Sequence, residues 1–374
     1  MNRLMICAAA LLLGACGDKS VAGPAIDTDL DPSQTTAATG PAVSPEARSF
    51  RDWRAQCDNG NVCAAFGPST AETAGWIRVS REPGATARPG VVFGLRGDSG
   101  SDIPGPLTVN LDGTIYTAAA GAADTAAFVL SDADAVTFMS RLPNARTLTL
   151  SAGGFTSSLS VSGSSAALLW IDERQGRLDT VTAVVRKGDR PASVVPAAPA
   201  LPVVVAAAAV SQQGFDQYAS RDASGETRLP LLPAAVAAMP GARSCHADVA
   251  GSEYLSTAFT VARLATDTEL WGVPCFGGAY NMGYRYFTTG TGGTNPQPVS
   301  FPTSDGSTFD VINGQFDPAT RTLDSFEKGR GVGDCGTASA WVWTGRAFAL
   351  KAEQHMEECW GMVSDYWPTT WRTR

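Results

Sequence analysis

The residues whose types could perform chemistry do not assemble into a complete catalytic set. The stretch 97–100, Gly-Asp-Ser-Gly, matches the nucleophile loop of one class of serine proteases, whose serine needs a histidine to accept its proton. In those proteases the histidine precedes the serine. Here the only two histidines, His246 and His355, both follow Ser99. Because Gly-Asp-Ser-Gly is also a good turn sequence, we predict a turn and no protease.

Two further pairs of residues suggest catalysis but have simpler interpretations. Cys335 and His355 could form a thiol nucleophile and its base, yet in an exported protein Cys335 would more readily form a disulfide with Cys359. Asp334 and Glu327 could act as the acid and base of a glycoside hydrolase. The chain has 36 acidic residues, so such pairs arise freely. We therefore lean towards a protein that is not an enzyme and keep a carboxylate-dependent hydrolase as the alternative.

The C-terminal third contains the best candidates for ligand binding. Arg330 has a glycine on each side, and glycine lets a backbone approach a ligand closely. Its guanidinium could bind a carboxylate or phosphate, or it could pair with Asp334 and hold the loop. Tyr280, Trp341 and Trp343 belong to a group of aromatic residues that mostly fill cores, although exposed ones could stack on a sugar. These five residues are the candidate ligand-binding set.

Composition argues against a metal site, a cofactor or a nucleic-acid partner. Two histidines are too few for a histidine-based metal site, and no Cys-x-x-Cys pair is present for zinc. The formal net charge is −8, with no basic cluster that could follow a phosphate backbone. We predict no metal, no cofactor and no nucleic-acid partner.

The first residues have the pattern of a bacterial export signal. A charged start is followed by about ten apolar residues, too few to span a bilayer, which needs about 20. They end in Leu13-Gly14-Ala15-Cys16, the lipobox pattern of bacterial lipoproteins. We expect residues 1–15 to be a lipoprotein signal peptide and Cys16 to carry lipid that anchors the protein in a membrane. Gly17 favours the outer membrane, facing the periplasm, by the sorting rule of enteric bacteria.

Six cysteines remain once Cys7 leaves with the signal and Cys16 is acylated. An even number in an exported protein indicates three disulfides, for which fifteen pairings are possible. Pairing of nearest neighbours is the favoured arrangement. It joins Cys57 to Cys63, Cys245 to Cys275, and Cys335 to Cys359.

Composition along the chain divides it into segments and indicates a mainly β fold with a few helices (α+β). Residues 16–47 hold the lipidated cysteine and a disordered tether without aromatic residues. Two disulfide-stapled β units are predicted, an N-terminal β domain with two helices over 48–187 and a C-terminal β domain over 241–374. A Pro/Ala-rich linker, 188–240, joins them and is apolar enough to pack partly on a domain surface.

Local patterns predict individual elements within both units. An Asn-Gly turn at 58–61 predicts a disulfide-pinned hairpin, and Ser131 is the expected N-cap of a helix over 135–142 that Pro143 ends. A second helix is predicted over 164–175, with Leu168, Leu169 and Ile171 facing the sheet. Further strands are expected at 75–80, 91–95, 107–116, 146–150, 155–161, 178–185, 256–265, 269–274, 279–287, 308–316 and 322–328, with a hairpin at 341–350.

Four stretches are similar to a bacterial envelope family known as domain of unknown function 1176. They are Trp53 with the Cys57–Cys63 region, Ala166-Ala167-Leu168-Leu169-Trp170-Ile171-Asp172-Glu173-Arg174-Gln175-Gly176-Arg177, the segment 273–281, and the Gly/Arg-rich segment 329–345. The resemblance covers about 48–374 and implies an envelope protein, without implying a chemistry. The N-terminal third also resembles the invasion-associated locus B family, through Trp53, Cys57, Cys63 and the 164–175 helix. That likeness implies a small secreted β protein and no catalytic residues.

These expectations together favour a non-enzymatic binding or interaction module of the cell envelope. Its partners would be a membrane, through the lipid on Cys16, and an envelope protein or glycan. The alternative is a hydrolase that acts on cell-wall glycan or peptide through carboxylates.

Overall fold

The computed structural model describes residues 43–70, 75–96, 103, 105–121, 127–215, 232–252 and 254–374. The predicted signal peptide, Cys16, most of the predicted tether and the Gly-Asp-Ser-Gly stretch at 97–100 lie outside the described residues. So does part of the predicted linker, 216–231.

The N-terminal half forms one ten-stranded antiparallel sheet with two helices, α1 (Asp132–Arg141) and α2 (Ser164–Arg174). The order of strands across the sheet is β1-β2-β3-β4-β5-β8-β7-β6-β9-β10. The strands, numbered along the chain, are β1 (Glu46–Phe50), β2 (Trp53–Cys57), β3 (Cys63–Pro68), β4 (Gly75–Arg81), β5 (Pro89–Leu95), β6 (Leu107–Leu111), β7 (Thr114–Ala120), β8 (Ala127–Val129), β9 (Leu148–Ala152) and β10 (Phe155–Leu159).

The C-terminal half forms two five-stranded sheets, a two-stranded ribbon and two helices, α3 (Ala234–Ala237) and α4 (Pro240–Val249). One sheet has the order β11-β12-β13-β14, with β17 also paired to β13; the other runs from β18 to β22, and β15 pairs with β16. The strands are β11 (Thr260–Ala265), β12 (Thr268–Gly277), β13 (Met282–Gly290), β14 (Thr294–Pro298), β15 (Phe301–Thr303), β16 (Gly306–Thr308), β17 (Asp310–Ile312), β18 (Gln315–Asp317), β19 (Thr322–Lys328), β20 (Gly336–Trp343), β21 (Phe348–Met356) and β22 (Thr369–Arg372).

A mainly β fold with a few helices is therefore confirmed, and so is the hairpin predicted from Asn-Gly. Strands β2 and β3 pair with Cys57 opposite Cys63, and a disulfide joins the two. The carboxylate of Asp58 accepts hydrogen bonds from the N–H groups of Gly60 and Val62, each at 2.8 Å. The turn is thus closed by its own side chain and by the disulfide.

Strands β2 to β5 are buried on both faces, which the alternation of their side chains makes possible. On one face Ile77 and Phe93 belong to a core that also contains residues of α1 and α2. On the other face Trp76 packs in a cluster with Met356 and Trp367 of the C-terminal half. The second face is therefore covered by the C-terminal half of the chain.

Both predicted helices are present, although one detail of the second was wrong. The Ser131 hydroxyl accepts the N–H of Asp134 and caps α1, which ends just before Leu142 and Pro143. In α2, Leu168 and Ile171 are buried as predicted, but Leu169 is only half-buried, and Trp170 is the third large side chain in the core.

Two predicted strands of the N-terminal half were wrong. The stretch 107–116 is a hairpin, because Asp112 and Gly113 take positive φ values of 47° and 85° and turn the chain between β6 and β7. The stretch 178–185 is not a strand. Its Val184 and Val185 N–H groups donate to the carboxylate of Asp172 and not to a neighbouring strand.

In the C-terminal half, the two largest departures from the prediction concern Cys245 and the stretch 308–316. Cys245 lies on α4 and not in a β unit, and its disulfide to Cys275 fastens that helix to β12. The stretch 308–316 contains parts of three short strands, β16, β17 and β18, instead of one. Residues 322–328 form β19 as predicted.

The described part of the predicted linker, 188–215, contacts the C-terminal sheets through its backbone. The N–H of Ala207 donates to the carbonyl of Trp343, and that of Val204 donates to the carbonyl of Arg374. The division of the chain into two β domains at 188–240 stays a prediction. No helix in the described ranges combines the length and the apolarity needed to cross a membrane.

Candidate functional site

Arg330 and Asp334 form an ion pair that holds a loop. The Arg330 guanidinium donates to both oxygens of Asp334, at 2.7 and 2.5 Å, and also to the carbonyl of Cys359. The Gly361 N–H donates to the same carboxylate at 2.6 Å. Burial alone would raise the pKa of Asp334, but these bonds to its charged form lower it. The carboxylate is thus held charged and fully engaged, which suits a structural role.

Cys335 and Cys359 are joined in a disulfide, so neither offers the free thiolate that a nucleophile or a metal ligand needs. Asp334 lies within 4.8 Å of both sulfur atoms. Cys335 therefore lies close to the carboxylate of Asp334, but its sulfur is held in a disulfide and cannot act as the thiol nucleophile considered from the sequence.

The three aromatic candidates lie in three different surroundings. Trp343 is buried in the C-terminal core and contacts Phe348. Tyr280 is 41% exposed and lines a separate recess with Tyr254. Trp341 lies at the floor of a cleft, with its indole N–H donating to the carbonyl of Pro302 at 2.6 Å. The five residues of the predicted ligand set therefore do not form one site. Arg330 pairs with Asp334, and Tyr280 lies beside the same loop at Gly331, but Trp341 and Trp343 lie elsewhere.

The cleft beside Trp341 has a volume of about 500 Å³, the size of a small-molecule site. Its floor is one face of β19, β20 and β21, and its walls come from β1, β2, β22 and the segment from β15 to β17. The lining residues are Pro45, Glu46, Ala47, Arg54, Gln56, Thr303, Ser304, Asp305, Thr308, Asp310, Ile312, Ser325, Glu327, Thr337, Ser339, Trp341, Glu353, His355 and Thr370.

The register of the sheet arranges the polar residues of the floor in two rows. Glu327 lies opposite Thr337, which lies opposite His355 on the next strand. Two residues along each strand, and so on the same face, Ser325 lies opposite Ser339, which lies opposite Glu353. Further along the same face, Leu323, Trp341 and Leu350 enter the apolar core. One sheet face is therefore apolar at one end and polar at the end that opens into the cleft.

The polar end of this face is fixed in place by a glycine and a disulfide. Gly336 has a φ of 136°, and a Cβ at this position would lie 1.9 Å from the carbonyl oxygen of Glu327, so only glycine fits. The Cys335–Cys359 disulfide closes the chain just beyond the last pair of β20 and β21, Gly336 opposite Met356. Gly336 and the disulfide both lie next to the row that contains Glu327, Thr337 and His355.

Glu353 joins the floor to the walls. It is 5% exposed, and its carboxylate accepts hydrogen bonds from the Ser304 hydroxyl, the Ser304 N–H and the Thr370 hydroxyl. These donors lie before β16 and on β22. Glu353 is therefore satisfied by the protein and positions the walls of the cleft.

Three groups of the cleft are left without a partner in the described part of the chain. The Glu327 carboxylate is exposed and accepts no hydrogen bond, and the Ser339 hydroxyl makes none although Ser339 is only 8% exposed. His355 shares a hydrogen bond of 3.1 Å with the Thr337 hydroxyl through Nδ1, which leaves Nε2 available. The Ser339 hydroxyl, the Glu327 carboxylate and Nε2 of His355 line the cleft, where a polar ligand could reach all three.

Sequence reasoning singled out Glu327 and His355 but did not place them together, and it missed Ser339 and Glu353. The signal is present in the alternation of Ser325 with Glu327, Thr337 with Ser339, and Glu353 with His355, each pair two residues apart. It was missed because the hairpin was predicted only over 341–350, whereas β20 and β21 extend to Gly336 and Met356.

Comparisons with known proteins agree with the first of the two resemblances, to the family known as domain of unknown function 1176. The profile of the family described as "Protein of unknown function (DUF1176)" matches residues 47–374. The chain is 30% identical over 348 residues to the uncharacterized protein YpfG of Escherichia coli strain K12, which covers 89% of this chain and 94% of that relative. No solved structure matches. Since the family match spans nearly all of the described residues, the chain belongs to the DUF1176 family.

Proposed function

We propose that this protein is a non-enzymatic binding protein of the bacterial cell envelope and that the cleft between the two halves is its ligand site. The observation that carries the proposal is a set of three polar groups on one sheet face of a cleft of about 500 Å³. The Glu327 carboxylate, the Ser339 hydroxyl and Nε2 of His355 have no partner among the described residues. A ligand that pairs with these groups gains hydrogen bonds without breaking any that the protein makes with itself.

The location belongs to the same proposal and is supported by the sequence. The lipobox at residues 13–16 provides a lipid anchor on Cys16, and the tether up to residue 47 gives the folded part reach from the membrane surface. Three disulfides suit an oxidising compartment. We place the protein on the outer membrane, facing the periplasm, where its ligand would be an envelope protein or glycan.

A carboxylate-dependent hydrolase of the cell wall is the second candidate, because Glu327 and Glu353 line the same cleft. The predicted partner of Glu327 was Asp334, which is not among the lining residues and is held by Arg330. Glu353 is engaged by Ser304 and Thr370, so it is not free to exchange a proton with a substrate. Binding therefore fits the geometry better than catalysis does.

The test is crosslinking in living cells, followed by affinity purification and mass spectrometry of what remains attached. The test variant combines Glu327→Gln with Ser339→Ala, which removes two unpartnered groups of the cleft. The matched control is Asp324→Asn, because Asp324 precedes Ser325 on β19 and points to the opposite face. A Cys16→Ser variant shows whether capture depends on the anchor.

We expect one enriched envelope component with the wild type and the Asp324→Asn control, reduced at least about tenfold in the cleft variant. Capture that is equal in all variants would show that the partner binds elsewhere and would refute the cleft as the site. Turnover of purified peptidoglycan by the wild type, lost in Glu327→Gln, would replace the binding function by the hydrolase.

A further inference from the structure

The charges of the cleft do not balance within the described part of the chain. Its only guanidinium, that of Arg54, already pairs with Glu357 and Glu358, which lie outside the lining. Among the lining carboxylates, Glu46 pairs with Arg48 and Arg174, and Asp310 pairs with Arg285. Asp305, Glu327 and Glu353 have no cationic partner among the described residues. The interior of the cleft therefore has an excess of negative charge that a cationic group would neutralise.

A second feature of the cleft, independent of its charge, is an uncharged polar side chain without a partner. Ser339 is more than nine-tenths buried, lines the cleft and has no hydrogen-bond partner among the described residues. Its neighbours two residues away on β20, Thr337 and Trp341, line the same cleft. A hydroxyl is both donor and acceptor, and so is a sugar hydroxyl. The free Nε2 of His355, on the next strand, offers a second polar contact, as a donor or as an acceptor according to the tautomer of the ring.

We infer that the cleft binds a saccharide that carries a free ammonium group. This inference deepens the proposed function and rests on it. The ammonium lies against Glu327, where it meets an exposed carboxylate without a partner, and the adjacent ring hydroxyls pair with Ser339 and His355. A cleft of about 500 Å³ is large enough for one or two sugar rings.

An amine alone, such as a polyamine, would satisfy the carboxylates but leave the Ser339 hydroxyl unpaired. A neutral N-acetylated sugar would pair with the hydroxyl but leave Glu327 without a cation. The amino sugar meets both demands, because its charged and uncharged polar groups are adjacent on one ring, as Glu327 and Ser339 are on adjacent strands of one sheet face.

The experiment is isothermal titration of the purified full chain with two matched probes. One is a β-1,4-linked disaccharide of glucosamine, and the other is its di-N-acetylated form, which has the same rings and linkage but no charge. Spermidine serves as the amine without hydroxyls. Each probe is titrated into the wild type, Glu327→Gln, Ser339→Ala and the Asp324→Asn control at low and high salt.

We expect the glucosamine disaccharide to bind at least about tenfold more tightly than the other two probes. Glu327→Gln abolishes this preference, and Ser339→Ala weakens binding of both disaccharides. Of the two disaccharides, added salt weakens binding of the charged one only. Glu327 is exposed and accepts no hydrogen bond in the described structure, so its substitution leaves the fold intact, and thermal unfolding of each variant checks this.

Equal affinity for the two disaccharides would overturn this inference and leave the cleft as a glycan site. If neither disaccharide binds while crosslinking still captures a component through the cleft, the inference fails and the proposed function stands. If crosslinking also captures nothing, both fail.

Discussion

Two polar regions of the molecule differ in how far the protein satisfies its own groups. The first, the arginine cluster, comprises Arg81, Asp172, Gln175, Arg177 and Thr182 and lies behind the N-terminal sheet. The second is the cleft floor around Glu327, Ser339 and His355. Arg177 is fully buried, whereas Glu327 is exposed and Ser339 lies at the floor of an open cleft.

In the arginine cluster most polar side-chain atoms bond to the protein, although Arg81 Nε and Asp172 Oδ1 have no partner among the described residues. Arg177 donates from Nε to the side-chain oxygen of Gln175 at 2.8 Å, and from its other nitrogens to Thr182 and to the carbonyls of Glu82 and Gly84. Burial lowers the pKa of Arg177 to about 10, which still leaves the guanidinium charged at neutral pH. These bonds tie the chain after α2 to the end of β4.

In the cleft the strands are held by backbone pairing and by Glu353, so the side chains of Glu327 and Ser339 are not needed for folding. The arginine cluster and the cleft floor therefore show two different roles of polar residues. Buried groups that are bonded to the protein fix the chain, and groups that the protein leaves unpartnered in a cleft are available to a ligand. Substitutions in the two regions should therefore have different effects on stability and on binding.

The largest expected effect is loss of stability in Arg177→Met. The substitution removes every hydrogen bond that the buried guanidinium makes, including those to the carbonyls of Glu82 and Gly84, and it leaves Asp172 with Arg81 as its remaining neighbouring positive charge. We expect the free energy of unfolding in urea to fall by about 3–5 kcal/mol. The control is Arg186→Met, because Arg186 pairs with Asp179 at the surface, where a change of at most about 1 kcal/mol is expected. Similar losses of stability in Arg177→Met and Arg186→Met would show that the bonds of the buried Arg177 stabilise the fold no more than a surface ion pair does.

A smaller effect, dependent on pH, is expected from Asp334→Asn. The folded pKa of Asp334 lies below the ordinary value of 3.8, so its charged form stabilises the fold at neutral pH. This contribution is fully present above pH 3.8 and is lost as the pH falls through the lower folded pKa. The variant should therefore be less stable than the wild type by about 1.5–3 kcal/mol at neutral pH, and the difference should shrink in acid. A difference that stays constant from neutral to acid pH would show that Asp334 does not act through its charge.

Much of the fold could be predicted from local sequence patterns, and the failures have local causes. The hairpin at Cys57 and Cys63 and the helix after Ser131 were predicted because turn and cap residues lie within a few positions of the groups they satisfy. The stretch 178–185 looked like a strand because apolar residues alternate there. Its amides bond instead to Asp172, and only tertiary structure reveals that contact.

The cleft illustrates the same limit for function. The sequence contains Glu327 and His355 as isolated residues, 28 positions apart, and nothing local shows that both lie opposite Thr337. Register between three strands brings them together, and the paired segment lies between the disulfide beyond Gly336 and the bulge after Ala340. The ion pair between Arg330 and Asp334 was one of two alternatives left open by the sequence, because both residues lie in one short loop.

The smallest expected change in stability comes from substituting two serines that lie opposite each other on the same sheet face. Because their positions are so similar, they provide the closest comparison between a bonded and an unbonded group. The Ser325 hydroxyl donates to the carbonyl of Ile312 at 2.8 Å, whereas that of Ser339 has no partner among the described residues. We expect Ser325→Ala to lower the free energy of unfolding by about 1 kcal/mol, and Ser339→Ala to change it by less than about 0.5 kcal/mol.

Titration of the glucosamine disaccharide into these two variants should give the reverse order, with affinity reduced by Ser339→Ala and unchanged by Ser325→Ala. Urea unfolding and titration of the same two preparations provide both measurements. If Ser339→Ala destabilised the protein as much as Ser325→Ala and left affinity unchanged, its hydroxyl would serve the fold. The cleft would then resemble the arginine cluster, in which polar groups bond to the protein, and Glu327 and His355 alone would remain as ligand contacts.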